Sequence, residues 1–239
     1  MKDNSQSFYE SYVHREGGSD TEDRILQIVS LLPNDAQSLL DVGCSEGRNL
    51  RVFQRKLPNA RLCGTDIGES MGPALRAEGF DFVAADANES LPFEDASFDV
   101  IVCGEVIEHI VDPDSMLKDF YRILKPQGLL VITTPNLAYL PNRLLLLAGI
   151  QPLFTETSLL RNYGRRLKAL GQGNAAQGHL RIFTLSALLE MLTDHKFRIK
   201  SKSGYAWLQV GIAGIIDRFF ARQPTFAAGF IVAASRMAD

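Results

Sequence analysis

Asp41, Gly43, Ser45 and Gly47 alternate through Leu39-Leu40-Asp41-Val42-Gly43-Cys44-Ser45-Glu46-Gly47, where an apolar run passes into a helix-like stretch, Arg48 to Gln54. Glycines at a strand-to-helix turn let the backbone approach a ligand closely, because they lack a Cβ and tolerate φ > 0. A turn of this kind holds a nucleoside. The dinucleotide fingerprint needs a third glycine five residues after the first, and Arg48 stands there, so the nicotinamide reading fails. Two further acids close strand-like runs. Asp66 follows Leu62-Cys63-Gly64-Thr65, about 20 residues beyond the turn, where an acid accepts from ribose hydroxyls. Asp86 follows Val83-Ala84-Ala85.

A second cluster, Glu105-Val106-Ile107-Glu108-His109, lies just past the fourth strand-like run. If it forms a helical turn, Glu105 and Glu108 or His109 share one face at i, i+3 or i+4, which suits a metal ion or a proton relay. Arg48 and Asn49 are expected to face solvent. His14 and His195 have no such neighbours and are read as surface or packing residues.

The elements that must position these groups are legible as hydrophobic periodicity. Ile25, Ile28, Val29 and Leu32 form the stripe of an amphipathic helix that Pro33 stops. Strand-like runs at Ser38 to Val42, Arg61 to Thr65, Phe82 to Ala84, Phe98 to Cys103 and Leu129 to Thr133 alternate with helix-like stretches. Alternation of this kind predicts an α/β fold, a doubly wound, mainly parallel sheet covered on both faces. Asp112-Pro113 supplies an N-cap acid and an N1 proline, and Lys125-Pro126-Gln127-Gly128 ends that helix. Residues 136 to 180 break the rhythm and read as a lid or substrate insertion. Their basic run, Arg161, Arg165, Arg166 and Lys168, suits a phosphate or carboxylate on an acceptor, or a solvated helix face. Beyond it, Thr184 caps a helix, Phe197 to Lys200 alternates as a strand, and Gly229 to Ala234 reads as a last buried strand. Leu208, Ile212, Ile215, Ile216, Phe219 and Phe220 form a helical apolar stripe, expected to pack into the core, with peripheral membrane contact as the alternative.

At 239 residues and 46% hydrophobic, the chain has room for one large α/β domain plus an insertion. A net charge of −3 and a pI near 5.8 offer no global positive field, which argues against DNA and RNA as partners. Cys44, Cys63 and Cys103 lie in or beside apolar runs and read as packed, reduced thiols. The N-terminus is polar, and Leu144 to Ile150, the longest apolar run, falls far short of the ~20 residues of a span. A cytoplasmic protein is expected; its oligomeric state is not written in these features.

The pattern D-x-G-x-[GS]-x-G at Asp41 to Gly47 resembles motif I of the class I S-adenosylmethionine-dependent methyltransferases. The resemblance extends through Phe98-Asp99-Val100-Ile101-Val102 and Leu124-Lys125-Pro126-Gln127-Gly128, and covers residues 36 to 135. It implies a Rossmann-like core with S-adenosylmethionine as cofactor and S-adenosylhomocysteine as product. Asp41 would then organise the turn and meet the methionine ammonium, Asp66 the ribose and Asp86 the adenine amino group. Gly43, Ser45, Gly47, Ile67, Ala87 and Glu105 would complete the cofactor contacts. Residues 1–35 become a helical segment over the cofactor, 136–180 the lid, and 181–239 the part that completes the sheet.

Methyl transfer is an in-line displacement at a sulfonium carbon, so the enzyme mainly positions the acceptor and removes its proton. Glu105, His109 and His179 are the catalytic candidates. The Glu105 to His109 cluster also resembles ubiquinone-biosynthesis O-methyltransferases and plant-type small-RNA 2′-O-methyltransferases, in which such residues can bind a divalent metal, with a later histidine in the RNA enzymes; His179 is that candidate here. Two carboxylates and two imidazoles would suit Mn, Co or Zn better than Mg. Metal is not the favoured reading, because many metal-free methyltransferases carry an acid and a histidine here. Pro135 to Tyr139, Asn142-Arg143-Leu144 and Gly178 to Thr184 resemble bacterial enzymes of cell-surface polysaccharide or lipid-linked sugar pathways. The expected activity is O-methylation of a sugar, quinone-like or lipid-linked small molecule. The alternatives are an RNA 2′-O-methyltransferase and a non-catalytic protein that only binds the cofactor.

Overall fold

The structure is a computed structural model that describes residues 20–164, 176–208 and 211–238. His14, Arg165, Arg166 and Lys168 lie outside the described residues. Seven strands form one sheet in the order β3-β2-β1-β4-β5-β7-β6. They are β1 (Ser38–Val42), β2 (Arg61–Asp66), β3 (Asp81–Ala84), β4 (Phe98–Gly104), β5 (Leu124–Pro135), β6 (Phe197–Tyr205) and β7 (Gly229–Arg236). β1 to β5 pair in parallel, whereas β7 runs antiparallel between β5 and β6. The helices are α1 (Asp20–Leu31), α2 (Arg48–Lys56), α3 (Gly72–Ala77), α4 (Pro113–Ile123), α5 (Leu140–Leu147), α6 (Leu185–Asp194) and α7 (Gly211–Ala221).

The doubly wound reading holds. Every residue of β1 is buried, as a central parallel strand covered on both faces requires. One core cluster gathers Leu40, Ile101, Leu117, Phe120 and Leu188; a second, on Leu39, Val100 and Val102, gathers Ile28, Leu50 and Phe53. Strand order reverses between β1 and β4, so the crevice beyond their carboxyl ends is a topological switch point, where open α/β sheets place ligands. Local signals explain several boundaries. Asp112 caps α4 by accepting from the Ser115 backbone N–H at 3.1 Å, and Thr184 caps α6 through Ala187 at 3.3 Å. β5 begins earlier than expected: Lys125-Pro126-Gln127-Gly128 lies within it, with Gln127 at φ 64, because the chain leaves α4 directly into pairing with β4.

A second expectation of the fold also fails. The apolar stripe on α7 does not enter the core: Ile212, Ile215, Ile216 and Phe219 are 78%, 62%, 51% and 62% exposed. The helix turns Gly214, Asp217 and Ala221 inward instead. The buried Asp217 carboxylate accepts from the backbone N–H groups of Trp207 and Leu208, which fixes that rotation.

Candidate active site

Register brings the ends of β1, β2, β3 and β4 together, with Val42 beside both Thr65 and Cys103, and Asp66 beside Ala84. The turn after β1 is tied to the end of β2, since Gly43 and Cys44 donate to the Thr65 carbonyl at 2.8 and 3.1 Å. Gly43 and Gly47 have φ +73 and +77. A Cβ on Gly43 would lie 2.4 Å from the Val106 methyl, so both conformation and space require glycine. Ser45 has φ 47, a left-handed conformation that costs a residue with a Cβ roughly 1 kcal/mol. Its N–H donates to Asp66 Oδ2 at 2.9 Å, and Gly68 donates to Oδ1 at 3.2 Å. Asp66 therefore ties the glycine turn to its own loop. Asp86 is held by the Asn88 N–H and side-chain amide, both at 2.9 Å to Oδ1. Asp66, Ile67, Asp86 and Ala87 are all half-buried around the crevice.

Asp41 is different. It is 1% exposed, and neither carboxylate oxygen has a hydrogen-bond partner among the described residues. Burial, reinforced by the charge of Asp66, pushes its pKa up to about 7. Asn49 opposes the shift without completing a hydrogen bond, so Asn49 faces this acid rather than solvent as expected. A buried carboxylate without a donor is costly in a folded protein and marks a place for a ligand.

The Glu105 to His109 segment does not make one helical turn. Glu105 sits at φ 57, and only Ile107–His109 forms a 3-10 turn. The acids are consequently split. Glu105 accepts from Arg24 at 3.0 Å, Thr133 Oγ1 at 2.8 Å and the Tyr205 hydroxyl at 2.8 Å. Glu108 is fully buried, accepts from Thr134 Oγ1 at 3.0 Å, and leaves Oε1 without a partner among the described residues. Burial, then the charge of Glu105, drives its pKa well above the ordinary carboxylate value.

His179 reaches this point because the insertion folds back. Glu156 accepts from the Gln177 and Gly178 backbone N–H groups at 2.5 and 2.8 Å, and His179 Nδ1 donates to the Phe154 carbonyl at 2.7 Å. His109 Nδ1 donates to the Gly178 carbonyl at 3.1 Å, and the two rings lie 4.9 Å apart. Because a carbonyl only accepts, each Nδ1 carries a proton, and Nε2 is the nitrogen left to accept one. Burial, with His179 adding to it, lowers the His109 pKa to about 4. Donor atoms of Glu108, His109 and His179 lie within 4.8 Å of one another. The donor set suits a divalent cation in kind. Glu105 does not join it, which corrects the four-ligand expectation. His195 accords with a packing role, its Nδ1 donating to Met191 and its Nε2 3.3 Å from Asp114. Cys44, Cys63 and Cys103 are buried free thiols.

A family model described as a methyltransferase domain matches residues 10–202. The chain belongs to that family. Over 106 residues the methyltransferase domain is 32% identical to a ubiquinone/menaquinone biosynthesis C-methyltransferase from Desulfotalea psychrophila, covering 42% of this chain and 43% of the relative. Over 109 residues it is 30% identical to a ubiquinone biosynthesis O-methyltransferase from Pseudomonas savastanoi, covering 42% and 45%. The matches span less than half the length of these curated relatives. Among solved structures it is similar to an S-adenosylmethionine-dependent methyltransferase from Mesorhizobium loti, with a TM-score of 0.61, 19% identity, and coverage of 92% of this chain and 99% of that one. Fold and family make S-adenosylmethionine the cofactor of this domain.

Three residues that close around Glu105 escaped the sequence reading. Thr133 ends an apolar run on β5, Tyr205 ends β6, and Arg24 sits on α1 one residue before Ile25 and four before Ile28. A cation on the buried stripe of an amphipathic helix was the available signal for Arg24. Its side chain is 14% exposed and also donates to Thr133 at 3.3 Å. Arg24→Ala should destabilise the fold by about 2 to 3 kcal/mol, since it leaves Glu105 without its cation. Urea denaturation measures this, and an unchanged midpoint would remove Arg24 as the clasp of α1.

Proposed function

We propose that the chain transfers the methyl group of S-adenosylmethionine to an oxygen of a small-molecule acceptor of the sugar, quinone-like or lipid-linked class. The observation that carries this reading is Asp41, a buried carboxylate with no partner among the described residues, at the mouth of a glycine turn. A cationic ligand group there, such as the methionine ammonium, would satisfy it. Asp66 and Asp86 complete the set of acids for ribose and adenine. The two ubiquinone-pathway relatives support the small-molecule class, although one is named a C- and the other an O-methyltransferase. The choice of oxygen rests on the histidine pair.

The cofactor supplies an electrophilic methyl on a sulfonium. Glu105, clamped by Arg24, Thr133 and Tyr205, forms a wall of the crevice at the end of β4. His109 or His179 receives the acceptor's hydroxyl proton on Nε2 as the new C–O bond forms, and the C–S electron pair stays on sulfur. The low pKa of His109 keeps its ring neutral, the state this step needs.

Glu108, His109 and His179 would hold a divalent cation if one binds, and it would act there as a Lewis acid. With Glu105 engaged elsewhere, the proton relay is the better supported role. Turnover should therefore survive exhaustive chelation; loss of activity restored by Mn or Zn would transfer the role to a metal.

Tritium-methyl transfer from S-adenosylmethionine to fractionated acceptors tests the function. Label is expected in a base-stable ether on a small molecule. Cofactor binding without transfer to any fraction would favour the non-catalytic alternative, and label in RNA the 2′-O-methyltransferase one.

A further inference from the structure

Helix α7 is packed inside out. Gly214, Asp217 and Ala221, at i, i+3 and i+7, are its buried stripe. They bring it close to β6: a Cβ on Gly204 would lie 2.4 Å from the Ala221 carbonyl oxygen. Ile212, Ile215, Ile216 and Phe219 take the opposite stripe into solvent, each more than half exposed. A surface helix ordinarily does the reverse.

The surroundings of that stripe are cationic in a chain whose net charge is −3. Phe219, Phe220 and Phe226 form a row with ring centroids 5.4 and 6.4 Å apart. Arginines bracket it: Arg222 lies 5.9 Å over Phe219, and Arg143 lies 4.7 Å over Phe226. A cavity of about 490 Å³ adjoins the stripe, lined by Ile215, Arg218 and Phe219 on one side and by Asp23, Gln27 and Tyr205 on the other. Tyr205 also donates to Glu105, so the cavity and the wall of the candidate site share this residue.

We propose that α7 seats on an anionic lipid surface. Ile212, Ile215, Ile216 and Phe219 enter the boundary between headgroups and acyl chains, while Arg143 and Arg222 meet lipid phosphates. Apolar residues on one stripe with arginines beside them are the pattern of an interfacial helix, and guanidinium groups pair readily with phosphate. The exposed positions of α7 carry no carboxylate, so a second copy of the helix would offer these arginines no counter-charge, which favours the anionic surface. The contact places the Tyr205 cavity at the interface, where an amphiphilic acceptor would enter. That last step rests on the methyl-transfer reading; the lipid contact itself does not.

Co-sedimentation with vesicles tests it, using phosphatidylcholine alone and phosphatidylcholine mixed with phosphatidylglycerol. Wild-type protein should pellet with the anionic vesicles, less so at high salt, and not with the neutral ones. The double variant Ile212→Glu/Ile216→Glu, at exposed positions outside the cavity lining, should lose roughly tenfold or more in partitioning. Its calorimetric affinity for S-adenosylhomocysteine should stay at the wild-type value, which also certifies its fold. Equal binding to neutral vesicles, no binding to either, or undiminished binding by the variant would overturn the proposal. So would a wild-type dimer that the variant dissociates while neither binds vesicles. Failure to bind S-adenosylhomocysteine would instead count against the cofactor reading alone.

Discussion

Asp41→Asn should make the cofactor-free protein more stable above neutral pH and, in the same molecule, weaken its hold on S-adenosylhomocysteine. The Asp41 pKa rises from 3.8 to about 7 on folding. A raised carboxylate contributes stability that is full below 3.8 and is lost as pH climbs through 7, because the unfolded chain ionises first. A shift of this size corresponds to at most about 4 kcal/mol, which asparagine would largely restore. Binding has the opposite sign. Pairing with the ligand ammonium requires the ionised acid, so wild-type affinity should weaken as pH falls below about 7, by up to about tenfold per unit. Proton release on binding should appear as a calorimetric heat that varies with the ionisation enthalpy of the buffer. Urea melts and titrations at several pH values measure both arms. An asparagine variant that is no more stable, or that binds as tightly as wild type, would remove Asp41 from the cofactor site.

His109→Ala should lower turnover roughly 10²- to 10⁴-fold, the range for loss of a positioned general base, while S-adenosylhomocysteine affinity changes little. The pH profile carries the sharper signature. Since burial lowers the His109 pKa from 6.5 to about 4, turnover should show no acid limb near 6.5 from this group. Stability, by contrast, should decline as pH falls from 6.5 toward 4, because the unfolded imidazole takes up a proton that the folded one refuses. His179→Ala should show a similar loss, since its ring lies 4.9 Å from that of His109, centroid to centroid. A rate that drops through 6.5, or an alanine variant with wild-type turnover, would contradict the relay.

Much of this site is local in the chain, and that part was readable. The Asp41 to Gly47 turn, Asp66 and Asp86 lie at or just past strand ends, so hydrophobic periodicity and glycine spacing point to them as candidates without a structure. Groups set by long-range packing were harder. Arg24 meets Glu105 across the sheet, and Tyr205 arrives from β6, which pairs with β7 rather than with β4. The Glu105 to His109 cluster illustrates a different limit: spacing implied one helical face, but a left-handed Glu105 sends the two acids to different partners. The α7 stripe was visible as a stripe. Its direction depended on one buried carboxylate, Asp217, whose partners Trp207 and Leu208 lie in another segment.

The most direct measurement is a calorimetric titration of S-adenosylhomocysteine into the wild-type protein and Asp66→Ala. Asp66 would hold the ribose while it ties Ser45 and Gly68 to the glycine turn. One-to-one binding by the wild type is expected, weakened by about 1 to 3 kcal/mol in the variant, or roughly 5- to 150-fold in Kd. No binding by the wild type, or an unchanged Kd in a folded Asp66→Ala protein, would contradict the assignment of this crevice to S-adenosylmethionine.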